Sequence, residues 1–381
     1  MEHPFLAPEF EIRWSRLTPE SVETDIAKAL EMAQERVDAL ADSDTNNRTF
    51  ENTLLALESA THEGERAWGL VNHLDSVCNS DALREAYNAM LPKVSEFYAR
   101  IPLNEKLWNV IRAYSETEEA ALLTGTRKRF LQETLADFRD RGADLPAEAK
   151  KRLEKLESEL AQLTQKFGEN VLDATNAWDL IIDDESRLAG LPDTARATAL
   201  EDARKKDIGS EESPAWRFTL HHPSVAPVLQ HLDDDDIRRQ VWKASSDVGR
   251  GSPHDNTELI WKILKLRQEK AEILGKTDFA DLVLERRMAK SGATADGFVT
   301  DLHDRVHAAF DKESQELREY KASHSGTEPE PLKPWEASYW AEKQRKELYD
   351  FDEEELRPYF PIESVIQGMF EIVQEIFNLR L

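Results

Sequence analysis

Cysteine, apolar runs and targeting signals are scarce in this sequence, and each scarcity excludes something. A single cysteine, Cys78, cannot form an intramolecular disulfide, and its place among helix-forming residues predicts a buried thiol. Residues 1–6 contain neither a basic nor an apolar region, and no apolar run approaches the length of a membrane span. Together these features indicate a protein of the reducing cytoplasm with no membrane partner.

Positive charge is also in deficit. Lys and Arg number 49 against 75 Asp and Glu, which gives a formal net charge of −26. An acidic field of this size repels phosphate backbones, so nucleic-acid and anionic-membrane partners are disfavoured. A solvated acidic surface is the more common explanation, and steering of cationic partners is the other.

Several catalytic and binding motifs are missing. The sequence contains no Gly-x-Ser-x-Gly and no Walker lysine loop. Gly249-Arg250-Gly251 lacks the third glycine of a dinucleotide loop and does not follow a predicted strand. The four acids at 233–236 are better explained as charge at a helix N-terminus than as a calcium loop, because the glycine and final Glu of such a loop are out of register.

Helical periodicity, by contrast, runs through the chain. Residues 1–17 predict an extended arm over the core, and Thr18-Pro19, Asp81 and Thr294 predict helix starts. Further helices are predicted over residues 103–114, 120–141, 256–275 and 279–290.

The most regular stretch begins at Pro146. Its apolar residues alternate three- and four-residue steps for about two heptads, which favours a long helix in a bundle over an independent coiled coil. These residues are Leu153, Leu156, Leu160, Leu163 and Phe167. Residues 178–182 and 216–220 are β-branched and aromatic and predict one strand pair, with a helical excursion over 191–206 between them.

The densest aromatic segment is 332–370. Pro334 suits a first helical turn, so a helix is predicted from about Trp335 with Trp335, Tyr339 and Trp340 on one face. Such a face is more often core than ligand platform. Beyond it, the Arg-Pro and Phe-Pro pairs within 357–361 predict an extended corner, and Ser364 predicts the cap of a last helix.

This segment resembles the M3 family of zinc metallopeptidases (the oligopeptidase A and thimet oligopeptidase type), just upstream of the catalytic region. Glu336, Trp340 and Met369 stand where the family pattern has Asp, Tyr and Leu. Thr-Phe-Glu-Asn-Thr at 49–53 and the run at 263–275 also match the family. The resemblance covers essentially the whole chain.

The resemblance implies a mainly α fold: a multi-helix bundle with long helices and one small two-stranded β pair, like the N-terminal half of an M3 oligopeptidase. We expect three parts. Residues 1–145 form an N-terminal helical domain, residues 146–222 a connection of long helix and strand pair, and residues 223–381 the beginning of the peptidase domain, truncated before the zinc motif.

Family membership implies zinc held by a His-Glu-x-x-His helix and a later Glu, with the motif's Glu as general base. Residues four apart share a helix face, so both imidazoles can reach one ion. The motif is absent, since His62-Glu63 is followed by Gly64-Glu65-Arg66. We therefore expect zinc in the intact family but none bound by this chain, and we assign no catalytic residue or metal ligand.

Two histidine groups are candidate metal ligands. His303 and His307 are four apart with Asp304 between them, but a shorter Asp would replace the Glu, so a solvated helix face is the default. His221-His222 with His231 is better explained as a polar turn, because no carboxylate or Cys recurs at ligand spacing.

The resulting hypothesis is the N-terminal part of a zinc-dependent oligopeptidase, forming one wall of a channel for short peptides and inactive alone. The alternative is a non-catalytic helical module that binds peptides or pairs with a separately encoded C-terminal catalytic half. A natural truncation, a split gene product and a fragment all stay open as origins.

Overall fold

The mainly helical fold class is confirmed. The structure is a computed structural model, and it describes residues 3–43, 47–251, 253–349 and 353–380. In chain order its helices are α1 (Pro19–Ala41), α2 (Ala56–Val77), α3 (Asp81–Leu103), α4 (Glu105–Ser115), α5 (Glu118–Leu122), α6 (Gly125–Asp140), α7 (Ala147–Ala177), α8 (Asp193–Arg204), α9 (His222–His231), α10 (Asp235–Ser246), α11 (Thr257–Ile273), α12 (Phe279–Leu284), α13 (Gly292–Ser325), α14 (Ala337–Tyr349) and α15 (Ile362–Phe377). The strands are β1 (Asp179–Ile182) and β2 (Trp216–Thr219).

The chain divides into two compact units. Unit 1 is Met1–Glu169 with Asn256–Phe298, and unit 2 is Asn170–Asp255 with Val299–Leu381. Within the described residues, no helix combines the length and apolar character that a membrane crossing needs. The three-part division predicted at residues 145 and 222 stays a prediction.

The N-terminal arm packs on helices of unit 1, as predicted, but it is not extended throughout, because Pro4–Leu6 and Trp14–Arg16 form 3₁₀ turns. A buried ring fixes its position. Phe5 has no exposed surface and packs among apolar residues of α1, α2 and α3. The carboxylate of Asp25 in α1, itself 1% exposed, accepts a hydrogen bond from the Phe5 backbone N–H at 2.9 Å and lies 2.8 Å from Nδ1 of His3. Because the buried Asp25 carboxylate is paired with groups of the arm, the arm has a defined position. The arm's first two residues lie outside the described part.

Two predicted helix caps were wrong. Ser80 rather than Asp81 caps α3, since its hydroxyl accepts from the backbone N–H of Leu83 at 3.2 Å. Ser291 rather than Thr294 caps α13, since its hydroxyl accepts from the backbone N–H of Thr294 at 3.2 Å. In both places neighbouring polar residues compete for the same free N–H groups, and the sequence does not decide between them.

The helix predicted over residues 120–141 is interrupted. Leu123 and Thr124 are extended, and Gly125 takes a positive φ of 55°, a conformation that glycine adopts without a Cβ clash. The chain therefore forms α5 and α6 instead of one helix. The prediction for 279–290 was too long at its C-terminal end, because α12 ends at Leu284.

The predicted seam of α7 is confirmed as a helix packing surface in unit 1. Leu156 and Leu160 of α7 form a buried cluster with Ile263 and Leu266 of α11. Two ion pairs accompany the cluster, one joining the Arg152 guanidinium to Glu269 at 2.5 Å and the other joining Lys270 Nζ to Glu157 at 2.5 Å. The seam therefore serves helix pairing within one chain.

The predicted strand pair forms the base of the unit 2 core. β1 and β2 are antiparallel, with Ile182 opposite Trp216 and Leu180 opposite Phe218. Trp216 and Phe218 alternate with half-buried residues and face a cluster that includes Leu188. The helical excursion predicted between the strands is α8.

The prediction of a buried thiol was wrong. Cys78 is exposed because it follows the last residue of α2, where the helix has ended and the neighbouring Val77 is also exposed.

Candidate functional site

A buried carboxylate, that of Glu336, stabilises the turn that precedes α14. The helix predicted to begin two residues earlier begins at Ala337, because residues 334–336 form a turn. In that turn Glu336, 5% exposed, accepts a hydrogen bond from the Lys333 backbone N–H at 2.8 Å and pairs with Lys321 Nζ at 2.8 Å. The resemblance to the family pattern identifies Glu336 as the counterpart of its Asp, but the burial of the carboxylate could not be predicted from the sequence.

One ring of the aromatic face, that of Tyr339, is covered by charged groups. The Tyr339 side chain is 7% exposed, and the Arg238 guanidinium carbon lies 3.9 Å from the centre of its ring. Lys343 Nζ lies 4.8 Å from the same centre. The Tyr339 hydroxyl donates a hydrogen bond to Asp233 Oδ1 at 2.6 Å, and Lys343 Nζ is 3.2 Å from that oxygen. Cation–π attraction and a charge-assisted hydrogen bond therefore fix one ring.

Arg238 of α10 is the central group of this cluster. Its side chain is buried and donates to the carbonyl of Leu232 at 2.5 Å, the carbonyl of Asp233 at 3.0 Å and Asp235 Oδ1 at 2.7 Å. Asp235 in turn accepts from Nε1 of Trp335 at 3.2 Å. One buried guanidinium thus connects the start of α10 to the turn before α14.

The run of four acids is confirmed as charge at a helix N-terminus. Asp234 is the N-cap of α10, and its carboxylate accepts from the Ile237 backbone N–H at 3.0 Å and from Nε of Arg187 at 2.8 Å. Negative charge at this end of a helix is stabilised by the free N–H groups. Each of the four carboxylates therefore forms an ion pair with a basic side chain of unit 2.

Protonation in the cluster is fixed by its hydrogen bonds. The Asp233 side chain is 46% exposed, and its partial burial opposes ionisation, but the hydrogen bonds from Tyr339 and Lys343 outweigh this effect, so the pKa of Asp233 is lowered. Burial, reinforced by the bond to Asp233, raises the pKa of Tyr339. At neutral pH the tyrosine is therefore a neutral donor and the aspartate a charged acceptor, which suits a positioning cluster.

We expect Asp233→Asn to destabilise the protein more at pH 7 than at pH 3. A carboxylate with a lowered folded-state pKa stabilises the fold above its unfolded pKa, ordinarily 3.8, and that contribution is lost as pH falls through the folded pKa. Urea denaturation of both proteins at pH 7, 5 and 3 measures the difference. The control is Asp236→Asn, whose exposed side chain pairs with Arg239 at 3.1 Å and with no other residue that the structure describes. A loss of the same size at all three pH values would contradict the assignment.

A cavity of about 1030 Å³ opens in unit 2, lined by residues of α8, β2, α9 and α14. On one side Arg217 of β2 binds the carboxylates of Asp179 at 2.9 Å and Asp202 at 2.6 Å. On another, Arg345 of α14 donates two hydrogen bonds to Glu342, at 2.9 and 2.8 Å. Its volume is just above the ~300–1000 Å³ of typical ligand pockets, so the cavity is large enough to be the candidate binding surface of unit 2.

The structure does not bring His221 and His231 together. His221 precedes α9 and His231 ends it, so a helix of ten residues, roughly 15 Å long at 1.5 Å per residue, separates them. Both line the cavity of unit 2. His222, the first residue of α9, is exposed.

His303 and His307 lie exposed on α13, as the solvated-face interpretation predicts. Their ring centroids are 4.8 Å apart, and Nε2 of His307 is 3.4 Å from Asp311. Among the residues described, no group of three or more His, Cys, Asp and Glu side chains has a metal-binding arrangement. These histidines therefore do not fit the donor set of a zinc peptidase.

The start of the last helix differs from the prediction. Arg357 and Pro358 lie inside a 3₁₀ helix, Glu353–Tyr359, so the extended corner is wrong at this pair, whereas Phe360 and Pro361 are outside any helix. Pro361, with ψ of 135°, is extended and directly precedes α15, which begins at Ile362. Ser364 is therefore within the first turn rather than at the cap. Proline precedes the helix readily because its fixed φ suits the start of a helix.

α15 presents an unburied apolar surface. None of the residues described in this helix is buried, and its large apolar side chains are exposed. A large exposed apolar patch is characteristic of an interaction site. The patch comprises Ile362, Val365, Ile366, Met369, Phe370, Ile372, Ile376 and Phe377.

Two family models match the chain. Residues 26–151 match the model described as the N-terminal domain of neurolysin and thimet oligopeptidase, and residues 228–381 match peptidase family M3. The second match includes α10, α14 and α15, and therefore the cluster around Tyr339.

Curated relatives extend the similarity to the whole chain. Oligopeptidase A of Haemophilus influenzae is 33% identical over 385 residues, covering 100% of this chain and 55% of the relative. Oligopeptidase A of Escherichia coli gives the same identity and coverage. The dipeptidyl carboxypeptidase of Escherichia coli is 25% identical, over 99% of this chain and 54% of the relative. The chain thus spans about half the length of the curated relatives it matches.

Proposed function

The chain belongs to peptidase family M3, and we propose that it serves a zinc-dependent oligopeptidase by forming one wall of the channel that admits short peptides. Its contribution is to admit and position the peptide. The cavity of unit 2, with its fixed ion pairs and mixed polar and apolar lining, is the surface we assign to peptide contact.

The observation that carries this proposal is a combination of two facts. Similarity at 33% identity runs along the entire chain, yet the 381 residues contain no His-Glu-x-x-His. Zinc in such an enzyme would polarise the peptide carbonyl and activate water. Residues absent from this sequence would supply its ligands, so we propose that the 381-residue chain alone does not hydrolyse peptides. Its single cysteine supports a cytoplasmic location.

A quenched fluorescent peptide of about ten residues tests this proposal. The purified chain with added zinc is expected to give no cleavage above buffer, and a mixture with the C-terminal portion of Escherichia coli oligopeptidase A is expected to give zinc-dependent cleavage. That C-terminal portion alone is the control. Chelator-sensitive cleavage by the 381-residue chain alone would contradict the proposal.

A second candidate function is docking to a separate catalytic half, and the exposed apolar surface of α15 favours it. Ile366→Asp with Ile376→Asp should abolish binding to the C-terminal portion in calorimetry. Phe10→Asp with Leu122→Asp adds the same charge at exposed apolar side chains of unit 1 and should leave binding unchanged. Equal binding by all three proteins would exclude α15 as the docking surface.

A further inference from the structure

A second cavity, of about 610 Å³, lies in unit 1 between the N-terminal arm and the helices beneath it. Its lining includes Arg13 and Arg16 from the arm, Arg66 from α2, and apolar groups of Leu17 and Leu70. Its volume falls within the ~300–1000 Å³ typical of small-molecule sites. It is separate from the peptide surface proposed above, which belongs to unit 2.

The arm that encloses this cavity is held in place. Phe5 is fully buried and Asp25 binds its backbone N–H, which fixes the start of the arm. Arg66 donates hydrogen bonds to the carbonyls of Ala7 and Glu9, the second at 2.9 Å, which fixes the next turn. The cavity is therefore shaped by anchored backbone on one side and by helices on the other.

Three guanidinium groups around the cavity are not neutralised by carboxylates. Arg66 donates its hydrogen bonds to backbone carbonyls, which carry no net charge. Arg13 and Arg16 are exposed and form no ion pair with any residue that the structure describes. The lining acids are Glu9 and Glu11, so arginines outnumber carboxylates here in a chain whose net charge is −26.

Guanidinium has a definite ligand preference. Its planar fork of N–H donors matches the paired oxygens of a carboxylate or phosphate and binds them with short, charge-assisted hydrogen bonds. His3 also lines the cavity, but its Nδ1 lies 2.8 Å from the Asp25 carboxylate, so the donors for a ligand come from the arginines. We propose that this cavity binds a small anion bearing carboxylate or phosphate groups, with Arg13 and Arg16 as the principal ligand-binding residues.

Calorimetric titration with two probes tests the proposal and distinguishes the two sources of anion. Inorganic phosphate represents phosphorylated ligands and citrate represents carboxylates. Wild-type protein is expected to bind at least one probe saturably, and Arg13→Gln with Arg16→Gln is expected to weaken that binding at least tenfold. The corresponding lysine variants keep the charge but lose the fork, so they should fall between the two.

The matched control removes the same charge elsewhere in unit 1. Arg112→Gln with Arg287→Gln alters two exposed arginines that form no ion pair with described residues, and affinity should change less than twofold. Tighter binding of phosphate assigns a phosphorylated ligand, and tighter binding of citrate a carboxylate ligand. Absence of saturable binding by either probe, or undiminished affinity in the Arg13/Arg16 glutamine variant, would overturn the proposal.

Discussion

Phe5→Ala is expected to lower the free energy of unfolding by about 4 kcal/mol, since truncating a buried phenylalanine loses both transfer free energy and packing. Phe5 has no exposed surface and lies in the cluster formed by α1, α2 and α3. The substitution should also loosen the arm. The backbone N–H of residue 5 can still bind Asp25, but no buried side chain then keeps it in place. Urea denaturation measures the energy, and limited proteolysis measures cleavage within residues 3–17.

The chain provides a control of the same residue type five positions away. Phe10 is 100% exposed, so Phe10→Ala should change the unfolding free energy by less than about 0.5 kcal/mol. If both variants lost similar stability, the arm would not be anchored by Phe5.

Arg238→Met is expected to destabilise the protein by about 3 kcal/mol, because it removes a buried cation and leaves polar partners unpaired. The carbonyls of Leu232 and Asp233 lose the donor Arg238. Asp235 loses its ion pair and keeps the bond from Trp335, and the Tyr339 ring loses the guanidinium 3.9 Å from its centre. Denaturation followed by tryptophan fluorescence measures the effect, since Trp335 shares Asp235 with Arg238.

The neighbouring arginine is the matched control. Arg239 is exposed and makes one pair, with Asp236 at 3.1 Å, so Arg239→Met should cost less than about 1 kcal/mol. Equal losses from both arginines would show that burial of Arg238 contributes nothing beyond a surface pair.

Helices and strands were predicted well from the spacing of apolar residues, because that spacing follows from the geometry of the helix or strand itself. The α7 seam and the strand pair follow from side-chain periodicity, and both occur where expected. Helix starts were less predictable. The residues that precede the helices are Ser80, Ser291 and Pro361, whereas the sequence analysis favoured Asp81, Thr294 and Ser364. The cap is the residue whose side chain or backbone the local chain path places beside the free N–H groups, and the sequence does not specify that path.

The cluster around Tyr339 could not have been predicted from the sequence. Its hydroxyl meets Asp233, 106 residues earlier in the chain, and no period or motif encodes that distance. The sequence analysis favoured core packing for the aromatic face, whereas Arg238 and Lys343 cover the ring of Tyr339. Helical periodicity does not reveal that a charged residue such as Arg238 is buried.

The exposed position of Cys78 makes a single thiol of the molecule accessible to reagents in solution. Because it is the sole thiol of the chain and lies just beyond α2, a maleimide dye would attach there without mutagenesis. The same accessibility lets an oxidant join two molecules through one intermolecular bridge, so a band of doubled mass should appear on a non-reducing gel and vanish with reductant.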